Sequence, residues 1–188
     1  MIRAMIVVPG SASRELGLRV AKLLGTHAVS IETKLFPDGE SYIRYDEEVK
    51  GEDTIVIQTS GPPQDTNLIQ LFLLLSTAKS LGAKSVTAVV PYFAYSRQDK
   101  MFRPGEAISA KTMVSLVEAA GADSFITIDI HNKEILRLFQ IPATSASAIQ
   151  SLAEYSKEAF GLEGAFSLAP DKGASEAVRS ADQVLGGG

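Results

Sequence analysis

Short apolar or β-branched segments alternate along the chain with longer segments whose apolar residues recur at helical spacing. The first pattern predicts strands over residues 2–9, 29–36, 42–45, 54–59, 85–92, 124–130 and 166–170. The second pattern predicts helices over residues 11–24, 67–81, 107–120, 132–140, 147–160 and 175–185. Ser11 and Ser13 are predicted to cap the first helix, and Gly25 to end it.

Strands that alternate with helices in this order are typical of a mostly parallel sheet with helices on both faces, so the predicted fold class is α/β. Ligands of such sheets bind beyond the carboxyl ends of the strands, and we therefore look for chemistry in the loops after strands. Residues 141–147 are mostly small and polar, include a proline, and are the best candidate for a domain junction. The predicted domains are residues 1–146 and an incomplete second domain, residues 147–188.

The 188 residues are 45% hydrophobic and 21% charged, which is typical of a globular protein rather than a disordered or fibrous one. The chain has no cysteine, which excludes disulfides and thiolate metal ligands. No apolar run approaches the ~20 residues needed to span a bilayer, and no targeting signal is visible, so we expect a cytoplasmic protein with no membrane partner. A net charge of −4 argues against nucleic acid as a partner but is compatible with a small anion site.

The first candidate motif is the turn formed by Phe36, Pro37, Asp38, Gly39 and Glu40. A Pro-Asp-Gly turn has an ordinary structural explanation, because proline presets φ, aspartate bonds its own backbone and glycine accepts a positive φ. The functional alternative is that Phe36 offers an aromatic face to a base, while Asp38 and Glu40 accept hydrogen bonds from amino or hydroxyl groups.

The second motif follows the strand predicted at residues 85–92. Residues 91–111 carry four cations and two anions, so this segment is positive within an acidic protein. Arg97, with Gln98 beside it, suits bidentate phosphate binding or stacking on a base. The alternative is a solvated charged loop anchored by its aromatic residues, which explains the rings but not the Arg-Gln-Asp-Lys cluster at 97–100.

The third and fourth motifs follow the strands predicted at 124–130 and 166–170. Asp129 and His131, two residues apart, would face the same side of an extended strand and suit a divalent metal or a pair that tunes a proton. The alternative is that His131 caps the next helix. Asp171 could bind Mg²⁺ through water or be a simple helix N-cap. The other histidine, His27, is interpreted as a surface loop residue.

In this order the four motifs resemble the ribose-phosphate pyrophosphokinase family, and most closely its archaeal-type members, over all 188 residues. The resemblance implies two similar phosphoribosyltransferase-like domains, of which these residues hold the first and the beginning of the second. It also implies transfer of the diphosphoryl group of ATP to ribose 5-phosphate, which gives 5-phosphoribosyl 1-diphosphate and AMP for nucleotide biosynthesis.

The resemblance assigns the nucleotide contacts to five residues of two motifs. Phe36 would stack on adenine, with Asp38 and Glu40 near the base. Arg97 and Gln98 would hold the nucleotide, Arg97 by base stacking or by phosphate contact. These roles agree with the chemistry that the residue types suggest.

The resemblance implies Mg²⁺ as cofactor, with His131 as the ligand of the nucleotide-bound ion and Asp171 at the second Mg²⁺ position. The catalytic lysine and the loop that binds ribose 5-phosphate are expected beyond Gly188. No catalytic residue is therefore predicted within residues 1–188, and these residues alone are expected to lack appreciable synthetase activity. A homo-oligomer, dimeric or larger, is also implied.

Two alternatives remain open at this point. One is a non-catalytic regulatory subunit associated with such a synthetase, although a purely regulatory subunit has no physical need for all seven candidate residues. The other is a phosphoribosyltransferase, against which the absence of an acidic phosphoribosyl-pyrophosphate loop counts weakly. Titration with Mg-ATP discriminates the first alternative from an enzyme, since a regulatory subunit that keeps only the fold would show no nucleotide binding.

Overall fold

The computed structural model describes residues 5–187. The strands are β1 (Met5–Pro9), β2 (His27–Ala28), β3 (Ile31–Leu35), β4 (Ser41–Tyr45), β5 (Asp53–Ile57), β6 (Ser85–Val90), β7 (Ser124–Ile128) and β8 (Ala143–Ala146). The helices are α1 (Arg14–Leu24), α2 (Gln64–Ser80), α3 (Ser109–Ala119), α4 (Ile149–Phe160) and α5 (Ser175–Leu185), with short 3-10 helices at Ser11–Ser13, Lys133–Leu138 and Lys172–Ala174.

Six of the strands form one sheet in the order β2-β1-β5-β6-β7-β8, and β3 and β4 form a separate antiparallel hairpin. The pairs β1–β2, β1–β5, β5–β6 and β6–β7 are all parallel. The predicted α/β class with a mostly parallel sheet is therefore confirmed. Because parallel strands all point the same way, the carboxyl ends of β5, β6 and β7 lie along one edge of the sheet.

The faces of the sheet are buried by different helices, as the alternation of side chains along a strand requires. Ile6 and Val8 of β1 belong to the larger core cluster, together with the buried apolar residues of α2 and α3. Val7, between them in the sequence, packs in a second cluster with Ala21 of α1 and Ile57 of β5. Helix α1 thus covers the face opposite to α2 and α3.

The chain divides between Ser145 and Ala146 into two compact units. Helices α4 and α5 pack against each other within the second unit, where Ala153 and Leu185 are buried. The interpretation of residues 147–188 as the beginning of a second phosphoribosyltransferase-like domain stays a prediction.

The strand predicted over residues 166–170 is wrong, because these residues are irregular. A strand needs a neighbour to pair its backbone groups, and here the Ser167 amide instead donates to a carboxylate oxygen of Asp182 in α5 at 3.2 Å. Phe166 and Leu168 are 82% and 93% exposed, so their apolar character does not reflect burial in this unit.

Residues 143–146, within the predicted junction, form the edge strand β8. Two further expectations need correction. His27 lies on the edge strand β2 rather than in a loop, although it is exposed as predicted. The strand predicted over 124–130 ends at Ile128. Of the strand predicted over 2–9, residues 2–4 lie outside the described part of the chain.

The first helix starts and ends near the predicted residues, but its start is stabilised differently. Gly25 ends α1 in the left-handed region with φ 62°, as the sequence predicts. Neither Ser11 nor Ser13 makes a capping hydrogen bond from its side chain. The Ser13 hydroxyl instead accepts from the Thr59 amide at 2.8 Å, which joins the start of α1 to the carboxyl end of β5.

Replacing Tyr45 by phenylalanine should flatten the loss of stability at alkaline pH. The Tyr45 hydroxyl donates to the Leu74 carbonyl at 2.8 Å, and burial raises the pKa of this phenol above its usual value. A raised pKa adds stability below pH ~10 that is lost as the pH rises, by about 1.4 kcal/mol per pH unit. Urea unfolding of both proteins between pH 8 and pH 11 measures this, and parallel curves would contradict it.

Candidate functional site

A cleft of about 610 Å³ opens at the carboxyl ends of β6 and β7. One wall is the loop that follows β6, residues 92–97, and the other is residues 128–131 at the end of β7 and just beyond it, with Gln64 completing the lining. The cleft therefore brings Arg97 and His131, two of the predicted site residues, to one place. This is the location that the parallel sheet predicts for ligand chemistry.

Two residues of this cleft hold an unusual backbone conformation. Tyr95 and Asp129 have φ of 64° and 43°, and they are the non-glycine residues with positive φ in the described chain. Such conformations cost free energy and often occur at functional sites. The Tyr95 hydroxyl donates to the Asp65 carboxylate of α2, and this hydrogen bond raises the pKa of the phenol. The backbone turn at Asp129 explains why β7 ends at Ile128.

Arg97 and His131 are both exposed on the walls of the cleft. Neither side chain has a hydrogen bond or ion pair with any residue between 5 and 187. An arginine without an internal partner has all of its donors available for an anion. The ring of His131 is likewise available for a ligand.

The structure removes the capping alternative for His131. The 3-10 helix Lys133–Leu138 is capped by Asn132, whose side-chain oxygen accepts from the Glu134 amide at 3.0 Å. The amide nitrogen of Asn132 donates to a carboxylate oxygen of Asp99 at 2.5 Å. Sequence reasoning missed both residues, although an asparagine directly before a helix is a recognisable N-cap signal.

The loop that carries Arg97 is folded around the carboxylate of Glu106. One oxygen of Glu106 accepts from the backbone amides of Phe102 and Arg103 at 2.9 Å each, and from the side-chain amide of Gln98 at 3.3 Å. Gln98 therefore lies beside the cleft and helps to hold the loop. Glu106 was also missed, and no spacing signal in the sequence identifies its role.

Phe36, Asp38 and Glu40 lie at the tip of the β3–β4 hairpin and are exposed. The Phe36 ring makes an edge contact with Tyr42 at 5.7 Å, and it remains 42% exposed. The Asp38 carboxylate accepts from the Glu40 amide at 3.1 Å, as the structural explanation of a Pro-Asp-Gly turn predicts. None of the three residues lines the cleft.

Asp171 belongs to the second unit and caps the 3-10 helix Lys172–Ala174. One of its carboxylate oxygens accepts from the Gly173 amide at 2.8 Å, so the N-cap alternative describes what this side chain does. A role for Asp171 at a metal stays a prediction.

The residues of the cleft suit a metal that the protein only partly surrounds. Within residues 5–187 no group of three histidine, cysteine or acidic side chains is arranged to hold an ion. The cleft does present one imidazole, His131, and one carboxylate, Asp129, which has interactions of its own. Mg²⁺ typically keeps several waters and is bound through one or two protein ligands together with substrate phosphates. The donor set is compatible with that manner of binding.

The fold and the cleft define an α/β protein with a candidate ligand site at the carboxyl edge of a parallel sheet. Residues 5–121 match the family model described as the N-terminal domain of ribose phosphate pyrophosphokinase. The chain therefore belongs to the ribose-phosphate pyrophosphokinase family. None of the helices between residues 5 and 187 is long and apolar enough to cross a membrane.

Similar proteins carry the same family name. The chain is 47% identical over 180 residues to a ribose-phosphate pyrophosphokinase of Methanobrevibacter smithii, covering 96% of this chain and 60% of that protein. It is 42% identical over 181 residues to one of Methanothermobacter thermautotrophicus, covering 96% and 62%. The crystal structure of phosphoribosylpyrophosphate synthetase from Mycobacterium smegmatis matches with a TM-score of 0.87 and 31% identity, covering 98% and 62%. The chain thus spans about three fifths of these proteins.

Proposed function

We propose that the chain is the nucleotide-binding part of a ribose-phosphate diphosphokinase. The reaction proposed for the whole protein is transfer of the diphosphoryl group of ATP to the anomeric hydroxyl of ribose 5-phosphate, which releases AMP. The supporting observation is the cleft that joins Arg97 to His131 at the carboxyl ends of β6 and β7. Membership of the family supports the choice of reaction.

The chemistry of the cleft suits this reaction. Transfer of a phosphoryl-type group depends mainly on positioning and on neutralising the charge of the transferred group, with little covalent help from the protein. The Arg97 guanidinium would bind the phosphate oxygens of ATP through paired, charge-assisted hydrogen bonds. Lys100 and Arg103 are exposed on the same loop and add positive charge to it.

Mg²⁺ is the proposed cofactor, and His131 is the residue that would hold it beside the nucleotide phosphates. When bound, Mg²⁺ would neutralise phosphate charge and orient the leaving and transferred groups. Asp129 lines the same cleft and would bind a water of the ion. Asp171 is proposed for a second Mg²⁺, through the carboxylate oxygen that is not used in capping.

The hairpin tip is proposed to contact the adenine, with Phe36 stacked on the base and Asp38 and Glu40 beside it. Phe36→Ala should weaken nucleotide binding by about 2 kcal/mol, a typical loss for a base that stacks on an aromatic ring. Calorimetric titration with Mg-ATP measures this change. Phe166→Ala is the matched control, because that ring is 82% exposed in the second unit. An unchanged dissociation constant for Phe36→Ala would remove Phe36 from the site.

Calorimetric titration of the chain with Mg-ATP tests the proposed function itself. We expect saturable binding that is abolished or strongly weakened by Arg97→Ala, because the guanidinium would provide the principal phosphate contact of the cleft. Arg19→Ala is the matched control, since that arginine is exposed and pairs with Glu15 on α1. Absence of nucleotide binding by the wild-type chain would favour the regulatory alternative.

A homo-oligomer in the cytoplasm is proposed as the working form of the protein. Helix α2 supports an association surface, because it exposes Ile69 and Leu73, one helical turn apart, at 52% and 36%. Sedimentation equilibrium of the wild-type chain and of the Ile69→Lys variant tests this surface. A monomeric wild-type chain would contradict association through this face.

A further inference from the structure

Asn132 uses both ends of its side-chain amide, and each end joins a different part of the site. Its oxygen accepts from the Glu134 amide at 3.0 Å and so begins the 3-10 helix that follows β7. Its nitrogen donates at 2.5 Å to the carboxylate of Asp99, which lies on the loop that follows β6. Asn132 is itself only partly exposed.

The two bonded residues lie within two sequence positions of the cleft residues Arg97 and His131. Asn132 follows His131, and Asp99 lies two positions after Arg97. Other hydrogen bonds join the Arg97 loop to itself through Glu106, to Ser60 beyond β5, and to Asp65 of α2 through the Tyr95 hydroxyl. The loop also bonds to the start of α3, where the Ala110 amide donates to the Gln98 carbonyl at 3.1 Å. The Asn132–Asp99 bond connects this loop to the far wall of the cleft.

We propose that Asn132 and Asp99 are positioning residues that hold the Arg97 guanidinium and the His131 imidazole at the separation a metal-bound polyphosphate needs. The inference rests on the proposed function, because it gives these residues a role only if the cleft binds a metal–nucleotide complex. A hydrogen bond to a carboxylate is stronger than a neutral one. The bond between Asn132 and Asp99 therefore restrains the loop close to Arg97, whose guanidinium must be held in position to bind an anion.

A double-mutant cycle separates this role from helix capping and from charge. Asn132→Ser keeps an N-cap side chain and adds no charge, but it is too short to reach Asp99. We expect it to raise the Mg-ATP dissociation constant about tenfold. Asp99→Ala alone should raise the Mg-ATP dissociation constant by a similar factor. In the Asn132→Ser background it should have almost no further effect, because the Asn132–Asp99 hydrogen bond is already lost. Asp99→Asn, which keeps an acceptor for the Asn132 amide, should restore most of the binding.

A second readout separates positioning from a merely structural contribution. The ratio of the dissociation constants for free ATP and Mg-ATP should fall in Asn132→Ser, because metal-dependent binding needs His131 and Arg97 together. Glu134→Gln is the control, since that exposed side chain pairs with Arg137 on the same 3-10 helix at 2.6 Å and does not line the cleft.

The outcomes distinguish this inference from the proposed function. The positioning role is supported if the losses of Mg-ATP binding are coupled in the double-mutant cycle and the ratio of the free-ATP to the Mg-ATP dissociation constant falls. The inference is overturned if the Asn132→Ser and Asp99→Ala losses of binding are additive. It is also overturned if Asn132→Ser lowers the melting temperature but leaves the ratio of the two dissociation constants unchanged. In both cases, Mg-ATP binding by the wild-type chain still supports the proposed function. No Mg-ATP binding by the wild-type chain overturns both.

Discussion

Phe125→Ala is expected to lower the free energy of unfolding by about 3–5 kcal/mol, the usual cost of deleting a buried aromatic side chain. Phe125 lies on β7 and is 1% exposed. Its ring stacks on Phe139 at 4.4 Å and meets Phe93 edge-on at 5.0 Å. Phe93 lines the cleft, so these three rings join the sheet to the loop that carries Arg97.

Urea unfolding followed by far-ultraviolet circular dichroism measures this loss. Phe166→Ala removes the same atoms from a ring that is 82% exposed, and should change the free energy by less than about 0.5 kcal/mol. Phe125→Leu should recover part of the loss, because it refills some of the cavity. A Phe125→Ala variant as stable as the wild type would mean that the aromatic cluster does not support the cleft.

His131→Ala is expected to raise the Mg-ATP dissociation constant about a hundredfold, near the upper end of losses seen when support of a metal ligand is removed. Binding of ATP without Mg²⁺ should change by less than about threefold, because the loss of one exposed imidazole removes little phosphate contact. Titrations with and without Mg²⁺ separate the two effects. The effect is expected to be larger with Mg²⁺ than without it because the His131 imidazole is proposed to contact the metal rather than the nucleotide.

His27→Ala is the matched control for this experiment. His27 is also exposed, but it lies on the edge strand β2 and pairs with Glu47 at 2.5 Å, and it does not line the cleft. Its replacement should leave both dissociation constants unchanged. Equal losses for His131→Ala with and without Mg²⁺ would rule out the proposed role as metal ligand.

The alternation of strands and helices was sufficient to predict the α/β sheet, because burial on both faces leaves continuous apolar runs in the sequence. The same rule produced the false strand at 166–170. An apolar run reports only that burial is favourable, and in this unit Phe166 and Leu168 have no neighbouring strand to pair with among the described residues. Strand β8 was missed for the opposite reason, since an edge strand of small residues needs no apolar run.

Part of the site could also be predicted, because the carboxyl ends of parallel strands lie along one edge of the sheet whatever the conformation of the loops that follow them. This placed Arg97 and His131 together. The argument that Asp129 and His131 share a face of an extended strand was wrong in its premise, since the chain turns at Asp129. The contacts of Asn132, Asp99 and Glu106 depend on loop conformation and side-chain rotamers, on which periodicity carries no information.

The most direct test of the proposed nucleotide site uses Mn²⁺ in place of Mg²⁺, since both ions accept oxygen ligands. Backbone amide resonances of the chain are recorded with ADP, before and after addition of Mn²⁺, whose unpaired electrons broaden nearby signals. We predict that broadening centres on residues 128–132 and extends to residues 93–98. Broadening centred elsewhere, or no effect of Mn²⁺-ADP beyond that of Mn²⁺ alone, would contradict a metal–nucleotide site in this cleft.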